Sequence, residues 1–335
     1  KDKKISSNSN DFTVLIFGDF FGHKLLPEVD LKYCNSSKPI KIIRSNTFKH
    51  FDIVIIHFTE IKKFVNLYRK YGKFNKETMV IFSLESPANM HIDVDLDVLQ
   101  KIFVLQTSSY YKSSSIPARY GHFINKKNNS LKNIIIADDF KARKNSCLAI
   151  ISNCNFKYNI RLEYIKELKK YYDVDLYGHC NNKRISMEER LQLFKKYKYF
   201  LSFENSVCQE YTTEKLILPL RYGMIPIVMN PPGDKNELLF PNSYINVFEF
   251  KSPDHLALRL KNISDDYQEY KKFFNWKKEY TLQAGRYLVD RCSIVNYASN
   301  KGNLNGKNDE TLFKLTDKSL CYTSESLKKI LLPHV

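Results

Sequence analysis

The stretch LSFENSVCQEYTTEKLILPLRYGMIPIVMNPPG, Leu201 to Gly233, sets an acid and a base side by side at Glu214 and Lys215. They directly follow Thr212 and Thr213, either of which can cap a helix starting there. The first N–H groups of such a helix are unpaired and its dipole is positive at that end. Anions bind there, phosphate above all. Lys215 adds a full positive charge. Glu214 cannot favour the same anion, so it is expected to face donors such as ribose or sugar hydroxyls. The pair therefore points to a nucleotide diphosphate with a carboxylate reading hydroxyl groups. The plainer alternative is that Glu214 compensates the helix dipole and Lys215 is a solvated neighbour.

Other residues could do chemistry. Glu85 in FSLESP sits where a strand ends and Pro87 turns the chain away, a place at the edge of a cleft or simply a loop. Arg161 opens the helical pattern IRLEYIKEL; its planar fork suits phosphate oxygens, and the alternative is a surface ion pair. His57 ends the apolar run FDIVIIHF, either lining a cleft on the acceptor side or buried as a core histidine. DVDLD (Asp93 to Asp97) and DVD (Asp173 to Asp175) have the spacing of a metal-binding DxD, which a strand edge or polar loop also produces.

These residues need elements to hold them. TVLIFG, FDIVIIHF and KETMVIFSLESP read as buried strands, with EIKKFVNLYRKYGKF as an amphipathic helix between the last two. The pattern passes through SLKNIIIADDFKARKNS and restarts. CLAIISN, VDLYG, YFLSFEN and IPIVM alternate with IRLEYIKELKKYY, RISMEERLQLFKKYK and EKLILPLRYG. Continuous apolar strands separated by helices predict parallel sheets covered on both faces. Two doubly wound units in tandem predict a ligand cleft at the carboxyl ends of their strands. The expected divisions are 1–135, 136–285 and a C-terminal helix and tail over 286–335, the last ~35 residues being polar and mixed.

The chain has 335 residues, 43% of them hydrophobic, with formal charge +17. It has length for two domains. No apolar run approaches a membrane span. The lysines are scattered rather than gathered in a basic arm, and no zinc-finger or RNP-like motif appears, so a solvated lysine-rich surface is expected rather than a nucleic-acid partner. The seven cysteines include no CxxC pair, which argues against a zinc ribbon. The sequence starts at Lys1, which is expected to follow a removed segment, with an upstream anchor permitted. Sequons stand at Asn35, Asn128 and Asn262.

YKYFLSFENSVCQEYTTEKLILPLRYGMIPIVM resembles the signature of the α1,3-fucosyltransferases, roughly Y-K-F-x-L-x-F-E-N-S…Y-x-T-E-K…G-x-x-P-[IV]-V. The likeness extends through PNSYINVFEFKSPDHLALRLKNISDDYQEYKKFFNWK, and upstream through AIISNCNFKYNIRLEYIKEL, VDLYG, FSLESP and DIVIIH, about residues 12 to 295. It implies the GT-B fold, two Rossmann-like domains facing across a cleft. It also implies inverting transfer of L-fucose from GDP-β-L-fucose to a GlcNAc or glucose hydroxyl of a glycan or glycoprotein. Glu85 then matches the general base. Arg161 and Lys215 would stabilise the leaving diphosphate. Asn205 and Tyr211 match donor-binding positions, Ser152 and Asn153 approach the nucleotide, Glu214 reads hydroxyls, and Tyr177 borders the guanosine. No cofactor is implied, a divalent ion being at most stimulatory and not held by a DxD.

The sequence departs from the family in SSYYKSSSIPARYG. Tyr111, Ser113 and Ser115 replace an Arg and two Asp, and Arg119 replaces a Pro. The C-terminal CxxC of many animal members is also absent. The resemblance places the protein in the Golgi lumen, a bacterial peripheral enzyme being the alternative. Rival readings are another GT-B sugar-nucleotide transferase and a weakened glycan- or nucleic-acid-binding relative. The joint presence of Glu85, Arg161, Asn205, Tyr211, Glu214 and Lys215 argues against a pure binder.

Overall fold

The computed structural model describes residues 12–19, 40–71, 77–126, 137–154, 157–284, 291–300 and 308–334. The first elements are β1 (Phe12–Phe17), β2 (Ile40–Ser45), β3 (Ile53–His57), α1 (Ile61–Tyr71), β4 (Thr78–Ser83), α2 (Leu96–Ile102) and β5 (Val104–Ser109). Next come β6 (Gly121–Asn125), α3 (Ala137–Ala142), β7 (Lys144–Ile150), α4 (Arg161–Leu168), β8 (Val174–Tyr177), α5 (Met187–Lys196) and β9 (Tyr197–Leu201). They are followed by α6 (Glu214–Arg221), β10 (Ile225–Val228), β11 (Ile245–Asn246), α7 (Pro253–Asp265), α8 (Tyr267–Lys272) and β12 (Tyr280–Ala284). The chain closes with α9 (Arg291–Ser299), α10 (Thr311–Thr316) and α11 (Ser324–Leu331).

Two compact units result, one of residues 1–119 with 286–317 and one of 120–285 with 318–335. Each is built on a parallel sheet of five strands, ordered β2-β1-β3-β4-β5 in the first and β11-β10-β9-β7-β8 in the second. Numbered from its own first strand, each sheet has the order 2-1-3-4-5. In such sheets ligands bind beyond the carboxyl ends of the strands, where the strand order reverses. That point lies between β1 and β3 in the first unit and between β7 and β9 in the second.

Both sheets carry the sequence signal that predicted them. Every residue of β3, β4, β9 and β10 is buried, as a sheet covered on both faces requires. In the first unit α1 packs its apolar face on the sheet, and Phe17 meets Phe64 edge-on with ring centroids 4.9 Å apart. In the second unit Tyr164 and Leu168 of α4 and Leu256, Leu260 and Ile263 of α7 join Tyr199 and Leu201 in one core. Transferring such side chains from water is the main stabilising term, about 25 cal/mol per Å².

The divisions differ from those expected at 135/136 and 285/286. β6 belongs with the second unit because it pairs antiparallel with β12, Gly121 opposite Ala284 through Asn125 opposite Tyr280. The last residues serve both units. Residues 308–317 lie in the first, where Asp309 accepts hydrogen bonds from the Ser115 amide (2.9 Å) and hydroxyl (2.6 Å) and from the Thr107 hydroxyl (2.5 Å). Residues 318–334 lie in the second, where Leu327 and Leu331 of α11 are buried. The expected tail thus contains α10 and α11.

Candidate active site

The strands of the second sheet end at one rim, and the candidate donor residues sit on the segments leaving it. After β7 come Ser152 and Asn153, and after β8 comes Gly178. β9 delivers Glu204 and Asn205, and α6 starts at Glu214. Thr213 is the N-cap of α6, its hydroxyl accepting from the Lys215 amide at 3.4 Å, the outcome expected from the sequence.

Glu204 is the centre of this rim, although within the FENS motif only Asn205 was given a role from the sequence. It is 4% exposed. Its Oε1 accepts from the Thr213 amide (2.8 Å) and hydroxyl (2.7 Å), and its Oε2 from Lys215 Nζ (2.9 Å). Lys215 also reaches Thr213 Oγ1 at 3.1 Å and Glu214 Oε1 at 3.4 Å. Burial lowers the pKa of the Lys215 ammonium, but Glu204 and Glu214 outweigh it and hold the group above its ordinary value. Burial raises the Glu204 carboxyl, against the pull of Lys215. With an ammonium, an amide and a hydroxyl converging on it, the ionised carboxylate is the form its partners fit.

Pro219 lies inside α6 and has no N–H for the carbonyl four residues back, that of Lys215. Ser202, just past β9, donates its hydroxyl to that carbonyl at 2.8 Å. The helix start is thereby tied to the strand end twice, through Ser202 and through Glu204.

Arg161 opens α4, as expected, and is 3% exposed. Its guanidinium donates to the carbonyl of Asn153 and, at 3.4 Å, to that of Phe203. It bridges the segments that follow β7 and β9, the two strands flanking the reversal of order. Burial lowers its pKa while Glu204 and Tyr211 raise it. Nearby, Asn159 donates to the Asn205 carbonyl at 2.8 Å.

Tyr211 is 3% exposed, on a loop fixed by a carboxylate. Asp234 accepts from the Glu210 amide (3.1 Å) and from Asn230 Nδ2 (2.9 Å), which also donates to Thr212 Oγ1 at 2.9 Å. Tyr177 ends β8, and its carbonyl accepts from the Ile151 amide at 2.8 Å. Ser152 is exposed and its hydroxyl accepts from the His179 amide at 3.5 Å. Disulfides join Cys154 to Cys180, across the segments after β7 and β8, and Cys208 to Cys321. Neither pairing was expected from the sequence.

Glu85 and His57 belong to the first unit. Glu85 follows β4, partly exposed, its amide donating to Ser83 Oγ at 3.1 Å. His57 ends β3 and is 0% exposed. Its Nδ1 lies 2.7 Å from Thr59 Oγ1 and its ring packs on Phe58 and Phe82. This is the core histidine of the two readings. The DxD aspartates have structural partners. Asp95 caps α2 and accepts from the Asp97 amide at 2.8 Å; Asp175 accepts from the Tyr197 hydroxyl at 2.6 Å. Among the described residues no three His, Cys, Asp or Glu side chains gather as a metal site.

The rim of this doubly wound unit thus brings together a buried carboxylate, two cations and a capped helix start. The sequence model described as "Glycosyltransferase family 10 (fucosyltransferase) C-term" matches residues 140–309, half of the chain, and the chain belongs to that family. It is 32% identical over 213 residues to a glycoprotein 3-alpha-L-fucosyltransferase A of Drosophila melanogaster, covering 61% of this chain and 40% of that protein. It is 25% identical over 291 residues to 4-galactosyl-N-acetylglucosaminide 3-alpha-L-fucosyltransferase 9 of Mus musculus, covering 85% of this chain and 77% of that one. Two crystal structures of alpha1,3-fucosyltransferase, one with GDP-fucose, share the fold. Their TM-scores are 0.52 and 0.55 at 15% and 14% identity, over 92% of this chain and 95% of theirs.

Proposed function

We propose that the chain is an inverting α1,3-fucosyltransferase that moves L-fucose from GDP-β-L-fucose to a GlcNAc hydroxyl of a glycan. The observation that carries this reading is the start of α6, where Lys215 is held on Glu204 beside buried Arg161. It lies inside the matched region and at the rim where such sheets bind ligands. In this reading Lys215, Arg161 and the N–H groups of α6 take the charge that develops on the leaving GDP. Glu214, Asn205 and Tyr211 orient the donor, with Ser152, Asn153 and Tyr177 at the nucleotide. Glu85 removes the acceptor proton. In this reading these positive groups serve the leaving diphosphate without a resident metal, a divalent ion being at most stimulatory. The names of the relatives offer two acceptor classes, glycoprotein and galactosyl-GlcNAc. Both are carried into the test below. The Golgi lumen is the proposed location, supported by two disulfides that need an oxidising compartment.

The test is incubation with GDP-fucose, or a UDP-sugar as control donor, and a panel of lactosamine, its type-1 isomer and a core N-glycan, with and without divalent metal. Fucosylated product from GDP-fucose alone is expected. The Glu85→Gln variant should bind GDP normally and lose about 10²- to 10⁴-fold in kcat. A wild-type protein with no affinity for GDP sinks the proposal.

A further inference from the structure

We infer that Glu204 is a positioning residue for the donor diphosphate: its carboxylate fixes the Lys215 ammonium against the first turn of α6 and keeps it charged. This rests on the proposed diphosphate site. Three observations carry it. Glu204 is buried, so its charge is not screened by solvent. Both its oxygens are used, one on the Thr213 N-cap and one on Lys215. And it serves both cations of the rim, being a source of attraction for Arg161 as well.

The two carboxylates at Lys215 do different things. An ammonium has three donors. One goes to Glu204 at 2.9 Å and one to Thr213 at 3.1 Å, both buried partners. The third faces Glu214 at 3.4 Å, a longer contact to a side chain that is 27% exposed. A phosphate oxygen can replace Glu214 and free it for a ligand hydroxyl. Glu204 stays behind the ammonium as a fixed counter-charge. The charged and titratable groups facing Lys215 are Glu204 and Glu214 on one side of the balance and Arg161 on the other, with Tyr211 beside Arg161. Without Glu204, desolvation and Arg161 both favour the neutral amine, and only Glu214 opposes them.

The test compares wild type with Glu204→Gln, which keeps the shape and the acceptor for Thr213 but removes the charge. Competitive acetic-anhydride labelling across pH, read by mass spectrometry, follows Lys215 without any ligand. Its titration is expected to move down by about one to three pH units in the variant. GDP binding by calorimetry is expected to be similar in the two proteins near about pH 7. At about one pH unit above the variant's own Lys215 midpoint it should be roughly tenfold weaker in the variant, because above its midpoint the charged fraction of an amine falls about tenfold for every pH unit. A purely structural role lowers affinity equally at both pH values and leaves the Lys215 titration where it was. Either result overturns the inference. Should the Gln variant not fold, Glu204→Asp withdraws the charge by one methylene and is expected to shift Lys215 in the same direction by less. If wild type itself binds no GDP, the proposed function falls, and the ligand-free labelling still decides the part played by Glu204.

Discussion

His57 shows how burial sets the charge of a titratable side chain. Burial pushes its imidazole down to about 4 from an ordinary 6.5. The fold therefore holds it neutral, while the unfolded chain accepts a proton below the ordinary value. Between those two pH values the unfolded state binds more protons, so stability falls as pH drops from about 6.5 to about 4 and the loss levels off below that. The span is worth at most about 3 kcal/mol. A His57→Gln variant is expected to have a flatter dependence of Tm on pH over this window, whatever its stability at neutral pH. Equal slopes for the two proteins would mean that His57 is not the group responsible. The residues of the opposite kind, Lys215 and Arg161, are recognisable in sequence because a cation at a helix start opposes the dipole and calls for an explanation. Glu204 is harder to see. Like Glu85 it is an acid at a strand end, but no proline turns the chain after it, and only the folded return of Thr213 and Lys215 shows its partners.

Elements place these residues, and one loop shows the constraint most clearly. Gly178, directly after β8, has φ +102, a conformation that side chains rarely adopt. A Cβ there would overlap the carbonyl oxygen of Ile151, the residue after β7. The two strand ends thus approach as closely as backbone allows, and the Cys154–Cys180 disulfide joins the segments that leave them. Gly178→Ala is expected to cost about 1–3 kcal/mol in backbone strain alone, and to weaken GDP binding through the displaced Ser152 and Asn153. Calorimetric Tm together with a GDP titration reads both, and a variant with unchanged Tm refutes the close approach. The elements legible in sequence were those with continuous apolar runs, β1, β3, β4, β7, β9 and β10, the short β8 at VDLYG, and the helices with one apolar face. β5, VLQTSS, is polar over most of its length yet its last five residues are buried. Its Thr107 is satisfied by Asp309 from more than 200 positions along the chain, a partner no local pattern announces. The same carboxylate holds Ser115 in the loop where the family motif is altered.

At the scale of the whole molecule, the C-terminal residues hold the second unit together. Leu327, Leu331 and Leu332 are buried in its core, and Ser324 donates to the Asn159 carbonyl at 3.0 Å. The Tyr322 amide donates to Val207 and the Gln209 amide to Leu320, on either side of the Cys208–Cys321 disulfide. The sequence read as a polar tail because two short helices bury few leucines, and because the partner of Cys321 lies 113 residues earlier. A cross-link closing so long a loop restricts the unfolded chain strongly, and its removal typically costs about 2–4 kcal/mol. The segment it anchors is the one that carries Tyr211, three residues after Cys208. Cys208→Ser with Cys321→Ser is therefore expected to lower Tm and also to weaken GDP binding, whereas stability lost elsewhere in the molecule would lower Tm alone. Differential scanning calorimetry and GDP titration of the double variant separate the two effects. An unchanged Tm would show that the cross-link adds little to the packing of residues 318–334. A lowered Tm with full GDP affinity would show that the loop holds its shape through the Asp234 and Asn230 hydrogen bonds alone.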